Sequence, residues 1–381
     1  MQTWLVGGAV RDKLLGIPAK DRDWVVVGAT PEEMLAAGFT RADADFPVFI
    51  HPQTGEEYAL ARVEYKTGCG YKGFEIHAGP DVTLEQDLKR RDFTINAMAM
   101  NEDGEVVDPF HGRDDLQNGR IRHVSDAFSE DPLRLLRAAR FAARFRRHGF
   151  HIAHETQRLM QEMAQSGELR SLTPARIWSE MSRALSEPNP EVFFRVLHSS
   201  GALKDVFPEL ANCLGADARS HQALPELLET LALVAKQTSD PVKRWAALLF
   251  LLHQCDTSVD VLEISKRYNA PASYRNLPLA LVELSKQLQA PADLDAVSVY
   301  RLLESHGALR NPSAFMELLA FSKSLPGANG NAMATLEKAL HAVLQVQPEA
   351  YIQSGLQAKE LGDALKQAKI AAIAQATGET P

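Results

Sequence analysis

Two aspartates near the start of the chain, Asp21 and Asp23, constrain the fold more than any other feature of the sequence. They precede a short β-branched run, Trp24 to Val27, which predicts a strand. Side chains two apart on a strand share one face. Two carboxylates on one face repel each other and need a shared cation to stay ionised. Mg²⁺ suits such a site, because it takes carboxylate oxygens together with substrate phosphates.

The segment before these aspartates extends the pattern. An apolar strand from Trp4 to Val6 is followed by Gly7 and Gly8, and then by a predicted helix from Val10 to Leu15. Because Gly8 has no Cβ, the backbone can approach a triphosphate closely, and the helix N-terminus favours an anion. Arg11 lies one turn into this helix, where it can bind a phosphate. The whole arrangement indicates two-metal nucleotidyl transfer.

Composition places the chain among large globular proteins. Its 381 residues are 45% hydrophobic, which predicts roughly two to four domains. The longest apolar run, Trp245 to Leu252, is too short to span a bilayer, and we expect no secretory signal before the first strand. The cysteines, Cys69, Cys213 and Cys255, show no metal-ligand spacing and suit a reducing compartment. We therefore expect a cytoplasmic protein without a membrane segment.

Strand and helix signals divide the chain near residue 122. Before that point, predicted strands at residues 48–51, 57–61 and 74–77 accompany a helix at residues 31–37. Beyond it, strand signals nearly vanish and helical periodicity dominates. The sequence therefore predicts an α/β head followed by a long all-helical region.

A second polar cluster runs from Asp87 to Asn96 and leads into an apolar stretch that we interpret as a helix. An ordinary basic helix start would have a similar composition. In the functional interpretation, Arg91 reaches a phosphate or the sugar, and Asp92 orients Arg91 or a ribose hydroxyl. Asn96 is a further candidate for contact with the ribose.

An arginine-rich helix, predicted from Leu133 to Phe145, carries the third pattern. Six arginines and no acid occur in residues 134–147. With about 100° of rotation per residue, its polar residues gather on adjoining faces. They are Asp131, Arg134, Arg137, Arg140 and Arg144. Such a stripe is often a solvated surface, but a capping aspartate beside arginines without nearby acids is typical of nucleotide or RNA contact.

A glycine-spaced loop, Tyr65 to Phe74, follows a predicted strand. Three glycines in ten residues make it mobile. The loop is therefore either a simple hairpin connection or a lid that repositions during turnover. Glu64, at its base, is a candidate third carboxylate of the metal site.

The chain resembles the bacterial class II tRNA nucleotidyltransferases, the CCA-adding enzymes, in Gly7-Gly-Ala-Val-Arg-Asp12, Asp21-x-Asp23, Arg90-Arg-Asp-Phe-Thr-Ile-Asn-Ala-Met98 and Glu130-Asp-Pro-Leu-Arg134. These motifs stand in family order and spacing, while the helical remainder matches more loosely. The resemblance implies an α/β nucleotidyltransferase head of the polymerase-β-like type, followed by an all-α neck, body and tail. The implied domains are a head at residues 1–122, a neck at 123–207, a body at 208–295 and a tRNA-binding tail at 296–381.

The resemblance also implies a reaction and the residues that perform it. Such enzymes add C, C and A to the 3′ end of tRNA from CTP and ATP, release pyrophosphate and use no nucleic-acid template. Asp21 and Asp23 would hold Mg²⁺, while Asp131 and Arg134 would face the incoming base. The implied nucleotide-binding residues are Gly8, Arg11, Arg91, Asp131, Arg134, Arg137 and Arg140.

The predicted body departs from the longer relatives, many of which carry a His-Asp phosphohydrolase domain. The corresponding stretch here is Leu251 to Cys255, where Gln254 stands in the place of the aspartate. An amide is a poor ligand compared with a carboxylate, so the resemblance implies a short form without a working hydrolase. A metal phosphohydrolase acting through His221 and His253 is disfavoured for the same reason.

Three other functions remain open from the sequence. A bacterial poly(A) polymerase shares the same head, although no basic C-terminal tail is evident here. A relative that adds only CC is disfavoured by the intact glycine-rich loop from Lys66 to Gly73, because that loop is reduced in such relatives. A catalytically inactive RNA-binding module is disfavoured by the presence of Asp21 and Asp23.

Overall fold

The structure, a computed structural model, describes residues 1–19, 21–42, 46–68, 74–215, 220–289, 295–352 and 358–378. The chain forms two compact units, Met1–Ser220 and His221–Pro381. Within the described ranges, every helix is too short or too polar to cross a membrane.

Short strands form the framework of the first unit. They are β1 Gln2–Val6, β2 Asp23–Val27, β3 Thr40–Arg41, β4 Val48–Ile50, β5 Glu57–Leu60, β6 Arg62–Lys66, β7 Phe74–Ala78, β8 Ala99–Met100, β9 Val106–Val107, β10 Arg120–Ile121 and β11 His151–Ile152. Over the described residues, the main sheet has the order β3-β4-β5-β2-β1-β8-β9. Its β2–β5 pair is parallel and its other pairs are antiparallel. Strands β6 and β7 form an antiparallel pair, and β10 and β11 a parallel one.

Helices make up most of the rest of the first unit. They are α1 Gly8–Leu14, α2 Pro31–Ala36, α3 Leu84–Lys89, α4 Gly112–Gln117, α5 Leu133–Phe145, α6 His154–Ser166, α7 Pro174–Ser186, α8 Pro190–Ser199, α9 Leu203–Val206 and α10 Pro208–Gly215. Proline stands at the start of α2, α7 and α8, where its missing N–H costs no helical hydrogen bond.

The second unit is helical throughout its described residues. Its helices are α11 Ser220–Gln237, α12 Pro241–Cys255, α13 Val261–Arg267, α14 Ala272–Gln289, α15 Ala296–Ser305, α16 Pro312–Lys323, α17 Gly330–Leu344, α18 Glu349–Ile352 and α19 Ala358–Thr377. The apolar run from Trp245 to Leu252 lies in α12 and is buried. The Trp245 Nε1 donates a hydrogen bond of 3.3 Å to Ser265 Oγ, so this run forms the core of a helical unit.

The centre of the main sheet fixes the positions of the first motifs. Val6 of β1 lies opposite Asp23 of β2, which places the glycine turn after β1 beside the start of β2. Adjacent residues of β2 pack into different clusters, Val25 with Val6 and Val26 with Phe49. A central strand with apolar packing on both faces holds the carboxylate at its end in a defined place.

The predicted α/β head and all-helical remainder are confirmed, but the helix expected after the second polar cluster is wrong. Helix α3 contains the start of that cluster, and a short 3₁₀ turn, Thr94–Asn96, forms its end. The buried stretch then continues as β8, in which Ala99 pairs with Val6 and Met100 with Leu5. Pairing with the central strand decides the conformation here, because it satisfies the buried backbone groups.

Candidate active site

A polar cleft of about 540 Å³ opens in the first unit beside the β1–α1 turn. Its walls come from the start of β2, the segment after α3 and one face of α5. It is lined by Gly7, Gly8, Arg11, Asp21, Asp23, Arg90, Arg91, Asp92, Asn96, Asp131, Leu133, Arg134, Arg137, Arg140, Phe141 and Arg144. The structure thus brings the nine predicted site residues together, and their individual roles stay predictions.

The glycine turn brings backbone close to two cleft arginines. Gly7 caps α1 with φ +68°, in the left-handed region that favours glycine. A Cβ on Gly7 would lie 3.0 Å from Arg91 Nη1, and a Cβ on Gly8 would lie 3.3 Å from Arg11 Nη2. The absence of side chains at both positions therefore lets the two guanidinium groups sit against the turn.

Asp21 and Asp23 are both exposed to solvent in the cleft. Asp23 is the first residue of β2, whereas Asp21 lies just before the strand. The pKa of the Asp23 carboxyl is raised, mainly because the surrounding cleft walls partly desolvate it. The nearby Arg91 lowers this pKa, and the Asp21 carboxylate raises it further. A carboxyl whose charge is disfavoured beside a second carboxylate is a natural ligand for a cation.

The donor set fits a metal site that substrate completes. Over the described residues, no three His, Cys, Asp or Glu side chains cluster as they would around a metal. Mg²⁺ is commonly bound by one or two carboxylates, with phosphate and water oxygens filling the remaining positions. An open pair such as Asp21 and Asp23 therefore suits a hard divalent ion shared with a triphosphate.

Arg11 is held on every side instead of projecting freely. Its guanidinium donates to Asp12 Oδ1 through Nε at 2.8 Å and to Asn96 Oδ1 through Nη1 at 2.5 Å. It also lies over the rings of Phe141 and Phe145, 5.2 and 5.0 Å from their centroids. Burial lowers the pKa of Arg11, an effect that the Asp12 carboxylate opposes. Arg11 thus fastens α1 to α5 as well as lining the cleft.

Asp92 orients Arg137, which corrects the expectation that it orients Arg91. Its carboxylate accepts hydrogen bonds from Arg137 Nε at 2.8 Å and Asn96 Nδ2 at 3.0 Å. Burial raises the pKa of Asp92, but the Arg137 charge and these two hydrogen bonds outweigh it, so the pKa lies below its usual range. Arg91 pairs instead with the buried Asp87, through Nη2 at 3.0 Å.

Three of the four arginines of α5 have acidic partners that the local sequence does not reveal. Arg137 pairs with Asp92, whose charge raises its pKa. Arg140 Nε lies 2.6 Å from Glu180 Oε2 of α7, and Arg144 Nη2 lies 2.9 Å from Asp12 Oδ2 of α1. The interpretation of the stripe as arginines without nearby acids is therefore wrong in three dimensions. The acids come from elements distant in sequence.

Asp131 and Arg134 are both fixed in place at the cleft wall. Asp131 Oδ1 accepts a 3.1 Å hydrogen bond from the Leu133 amide, as expected for a residue near the start of α5. Arg134 donates to the Ala127 carbonyl at 3.0 Å and the Arg90 carbonyl at 2.6 Å. Burial lowers the pKa of Arg134, and Asp92 and Asp131 oppose this. An acceptor and a donor group are thus presented in fixed positions.

Comparison with known proteins decides the family. The chain matches a family model described as the poly A polymerase head domain over residues 3–122, and one described as a probable RNA and SrmB-binding site of polymerase A over residues 149–214. It is 45% identical to a multifunctional CCA protein of Pseudomonas paraeruginosa over 98% of both chains. It is also 45% identical to a CCA-adding enzyme of Marinobacter nauticus over 99% of both chains.

The chain belongs to the family of CCA-adding enzymes. A solved CCA-adding enzyme in complex with ATP has the same fold, with a TM-score of 0.67 and 25% identity over 100% of this chain and 87% of the other. This enzyme is therefore a tRNA nucleotidyltransferase with a polymerase-β-like head. The head match alone does not separate it from poly(A) polymerases, but the full-length relatives do.

Two further expectations of the sequence concern Glu64 and the glycine-spaced loop that follows it. Glu64 accepts hydrogen bonds from Arg62 Nε at 3.1 Å and Arg90 Nη1 at 3.0 Å, and the described lining of the cleft does not include it. Its carboxylate is thus used in ion pairs next to the cleft, which speaks against a metal-binding role. Residues 69–73 of the glycine-spaced loop lie outside the described residues.

In the second unit, the stretch compared above with the His-Asp phosphohydrolases lies at the end of α12. His253 is buried in α12 and its Nδ1 lies 2.9 Å from the Val259 carbonyl oxygen. The neighbouring Gln254 donates from Nε2 to Ser285 Oγ at 3.3 Å. The side chain of His221 lies outside the described residues. Gln254 thus contacts α14, and its side chain places an amide beside His253 where the longer relatives have a carboxylate.

Proposed function

We propose that this enzyme builds and repairs the 3′-terminal CCA of tRNA from CTP and ATP, without a nucleic-acid template, and releases pyrophosphate. The observation that carries the proposal is a single cleft in which paired carboxylates, Asp21 and Asp23, face the same space as Asp131 and Arg134. The full-length similarity to CCA-adding enzymes supports it. The direct test is to incubate the protein with tRNA that ends at the discriminator base, add CTP and ATP, and sequence the products.

The roles proposed for the cleft residues follow from their chemistry. The family generally uses divalent metal ions, and we assign Mg²⁺ to Asp21 and Asp23. Bound there, it would activate the tRNA 3′-hydroxyl and offset charge on the transferring phosphoryl. Arg91 and the backbone at Gly8 hold the triphosphate. Arg11, Arg137 and Arg140 are the remaining nucleotide-binding residues of the proposal.

The remaining parts of the proposal concern partners and location. The cleft lies in the first unit, and we assign binding of the tRNA body to the helical second unit, with the predicted tail at residues 296–381 as its main surface. The head, neck and body boundaries near residues 122, 207 and 295 belong to the same proposal. A cytoplasmic location agrees with a tRNA substrate and with the low cysteine content.

Deletion of residues 68–73 is expected to spare addition of C and to impair addition of A. The reasons are the glycine density of this segment, which favours mobility, and the resemblance to CCA-adding enzymes, which implies that this loop acts as a lever in the change from CTP to ATP. The measurement is single-nucleotide addition to tRNA ending before the CCA and to tRNA ending in CC. Equal loss of both steps would indicate a structural role for the loop.

The enzyme is expected to lack metal-dependent phosphatase and cyclic phosphodiesterase activity. Gln254 stands where a carboxylate ligand would be needed, and an amide is a poor ligand compared with a carboxylate. The check is hydrolysis of a generic phosphomonoester and a 2′,3′-cyclic nucleotide with Ni²⁺ or Mn²⁺. Activity that disappears in His253→Ala would contradict the expectation.

A further inference from the structure

Helix α7 contacts the base-facing wall of the cleft from outside the cleft. Arg176 Nη2 lies 3.2 Å from Asp131 Oδ1 and 3.1 Å from Asp131 Oδ2. One turn later, Glu180 accepts from Arg140 Nε at 2.6 Å. Because residues four apart share a helix face, α7 presents one cation and one anion to the cleft wall together.

Arg176 lies at a position in α7 where a positive charge does not stabilise the helix. Thr173 caps α7 and Pro174 begins it, so Arg176 lies in the first turn. A cation in the first turn opposes the helix dipole and so disfavours the helix. No acid occupies the first turn of α7 to offset this charge. The ion pair with Asp131 supplies the counter-charge from outside the helix.

The contact with Arg176 restricts a torsion that is otherwise soft. The terminal torsion of aspartate has broad minima, so a carboxylate held at one oxygen can still rotate. The Leu133 amide holds Asp131 Oδ1, and Arg176 donates to both oxygens. The carboxylate plane is thereby fixed relative to the cleft.

The ion pair between Glu180 and Arg140 keeps Arg176 itself in place. Glu180 is 2% exposed and Arg140 is 7% exposed, so their ion pair is enclosed between α7 and α5. Charge-assisted bonds of this kind are short and strongly directional. The Glu180–Arg140 pair therefore fixes α7 against the helix that follows Asp131, one turn away from Arg176.

We propose that Arg176 is a positioning residue for nucleotide choice, which acts by holding the Asp131 carboxylate in the orientation that accepts the amino group of cytosine or adenine. This rests on the proposed base-reading role of Asp131. Without Arg176, the carboxylate is free to turn away from the plane of the base. The amino group of a correct base then loses part of its advantage over the carbonyl oxygen of uracil.

The test is single-turnover incorporation of CTP and UTP into tRNA lacking its CCA. We expect Arg176→Ala to lower the CTP/UTP preference about tenfold, the size of one weakened charge-assisted hydrogen bond. The same change in the Asp131→Ala background should leave the preference unaltered. Arg195→Ala is the control, because this arginine is exposed on α8 and belongs to none of the contacts of Asp131, Arg140 and Glu180 given above.

The Arg176 and Asp131 variants distinguish failure of this inference from failure of the proposed base-reading role of Asp131. A wild-type preference in Arg176→Ala, alongside a lowered one in Asp131→Ala, overturns the inference alone. A wild-type preference in Asp131→Ala overturns the base-reading role itself. If the CTP/UTP preference falls further when Arg176→Ala is added to Asp131→Ala, Arg176 acts on a group other than Asp131, which overturns the inference. Two controls detect a folding defect: Arg176→Gln, which keeps much of the side-chain volume, and thermal unfolding of each variant. A folding defect would slow incorporation of CTP and UTP equally. That result would also overturn the inference.

Discussion

Asp21→Ala and Asp23→Ala are each expected to abolish nucleotide addition, with a rate loss of at least about a thousandfold, because electrostatic stabilisation by a bound metal contributes several kcal/mol. The fold and the affinity for tRNA should stay near wild type. Both side chains are exposed at the cleft and repel each other, so removing one relieves a repulsion instead of breaking a core contact. The measurement is single-turnover addition of C with Mg²⁺, together with tRNA binding and thermal unfolding.

The matched control for these variants is Asp103→Ala, an exposed aspartate in a turn of the same unit. It should leave both the rate and the affinity unchanged. Substantial turnover by either Asp21→Ala or Asp23→Ala would show that the metal site has been misassigned. Loss of tRNA binding in parallel with activity would point to a role in RNA contact instead.

Asp131→Ala is expected to loosen the rejection of UTP, and Arg134→Ala to reduce incorporation of both CTP and ATP. A carboxylate only accepts hydrogen bonds and a guanidinium only donates them. Cytosine presents its 4-amino donor beside the N3 acceptor, and adenine presents its 6-amino donor beside N1. Asp131, just before α5, and Arg134, in its first turn, match that order in both bases.

The wrong bases present the opposite order. Uracil sets O4 and N3–H against this pair, and guanine sets O6 and N1–H, so oxygen would meet Asp131 and an N–H would meet Arg134. A mismatch of this kind in a desolvated site costs a few kcal/mol, roughly 10- to 100-fold in incorporation. We expect Asp131→Ala to lose most of that factor against UTP, while Arg137 and Arg140 matter more for positioning than for choice.

The measurement is single-turnover incorporation of all four nucleotides by each variant. Arg147→Ala serves as the control, since it belongs to the same arginine-rich run but does not line the described cleft. Because Arg134 also bonds two backbone carbonyls, Arg134→Ala is expected to lose about 1–3 kcal/mol of stability, so thermal unfolding accompanies the kinetics. Wild-type discrimination between CTP and UTP in Asp131→Ala would place nucleotide selection in other residues.

Local signals made the framework of the site predictable. The strand before Gly7, the helix after it and the strand after Asp23 follow from short-range patterns, and they occur as expected. The bounds predicted for the arginine-rich helix, Leu133 to Phe145, agree with α5, because its apolar face has helical periodicity and Pro132 stands at its start.

Long-range pairing accounts for what could not be predicted. Arg176 lies 45 residues from Asp131, and no periodicity connects two such positions. The acids that pair with the α5 arginines are equally remote in sequence. The strand after residue 98 was predicted as helix, because its apolar composition fits either structure and only the pairing with β1 decides between them.

Ion pairs and hydrogen bonds around Arg11 form a continuous network that begins and ends on α5. It leaves α5 at Arg144 and returns to α5 at Arg137, through Asp12, Arg11, Asn96 and Asp92 in turn. The four interior members are buried, and breaking a buried pair costs about 3–5 kcal/mol. We therefore expect the glycine turn and α5 to move together as a rigid body. A movement of α5 relative to the glycine turn during the change from CTP to ATP would therefore require these contacts to break.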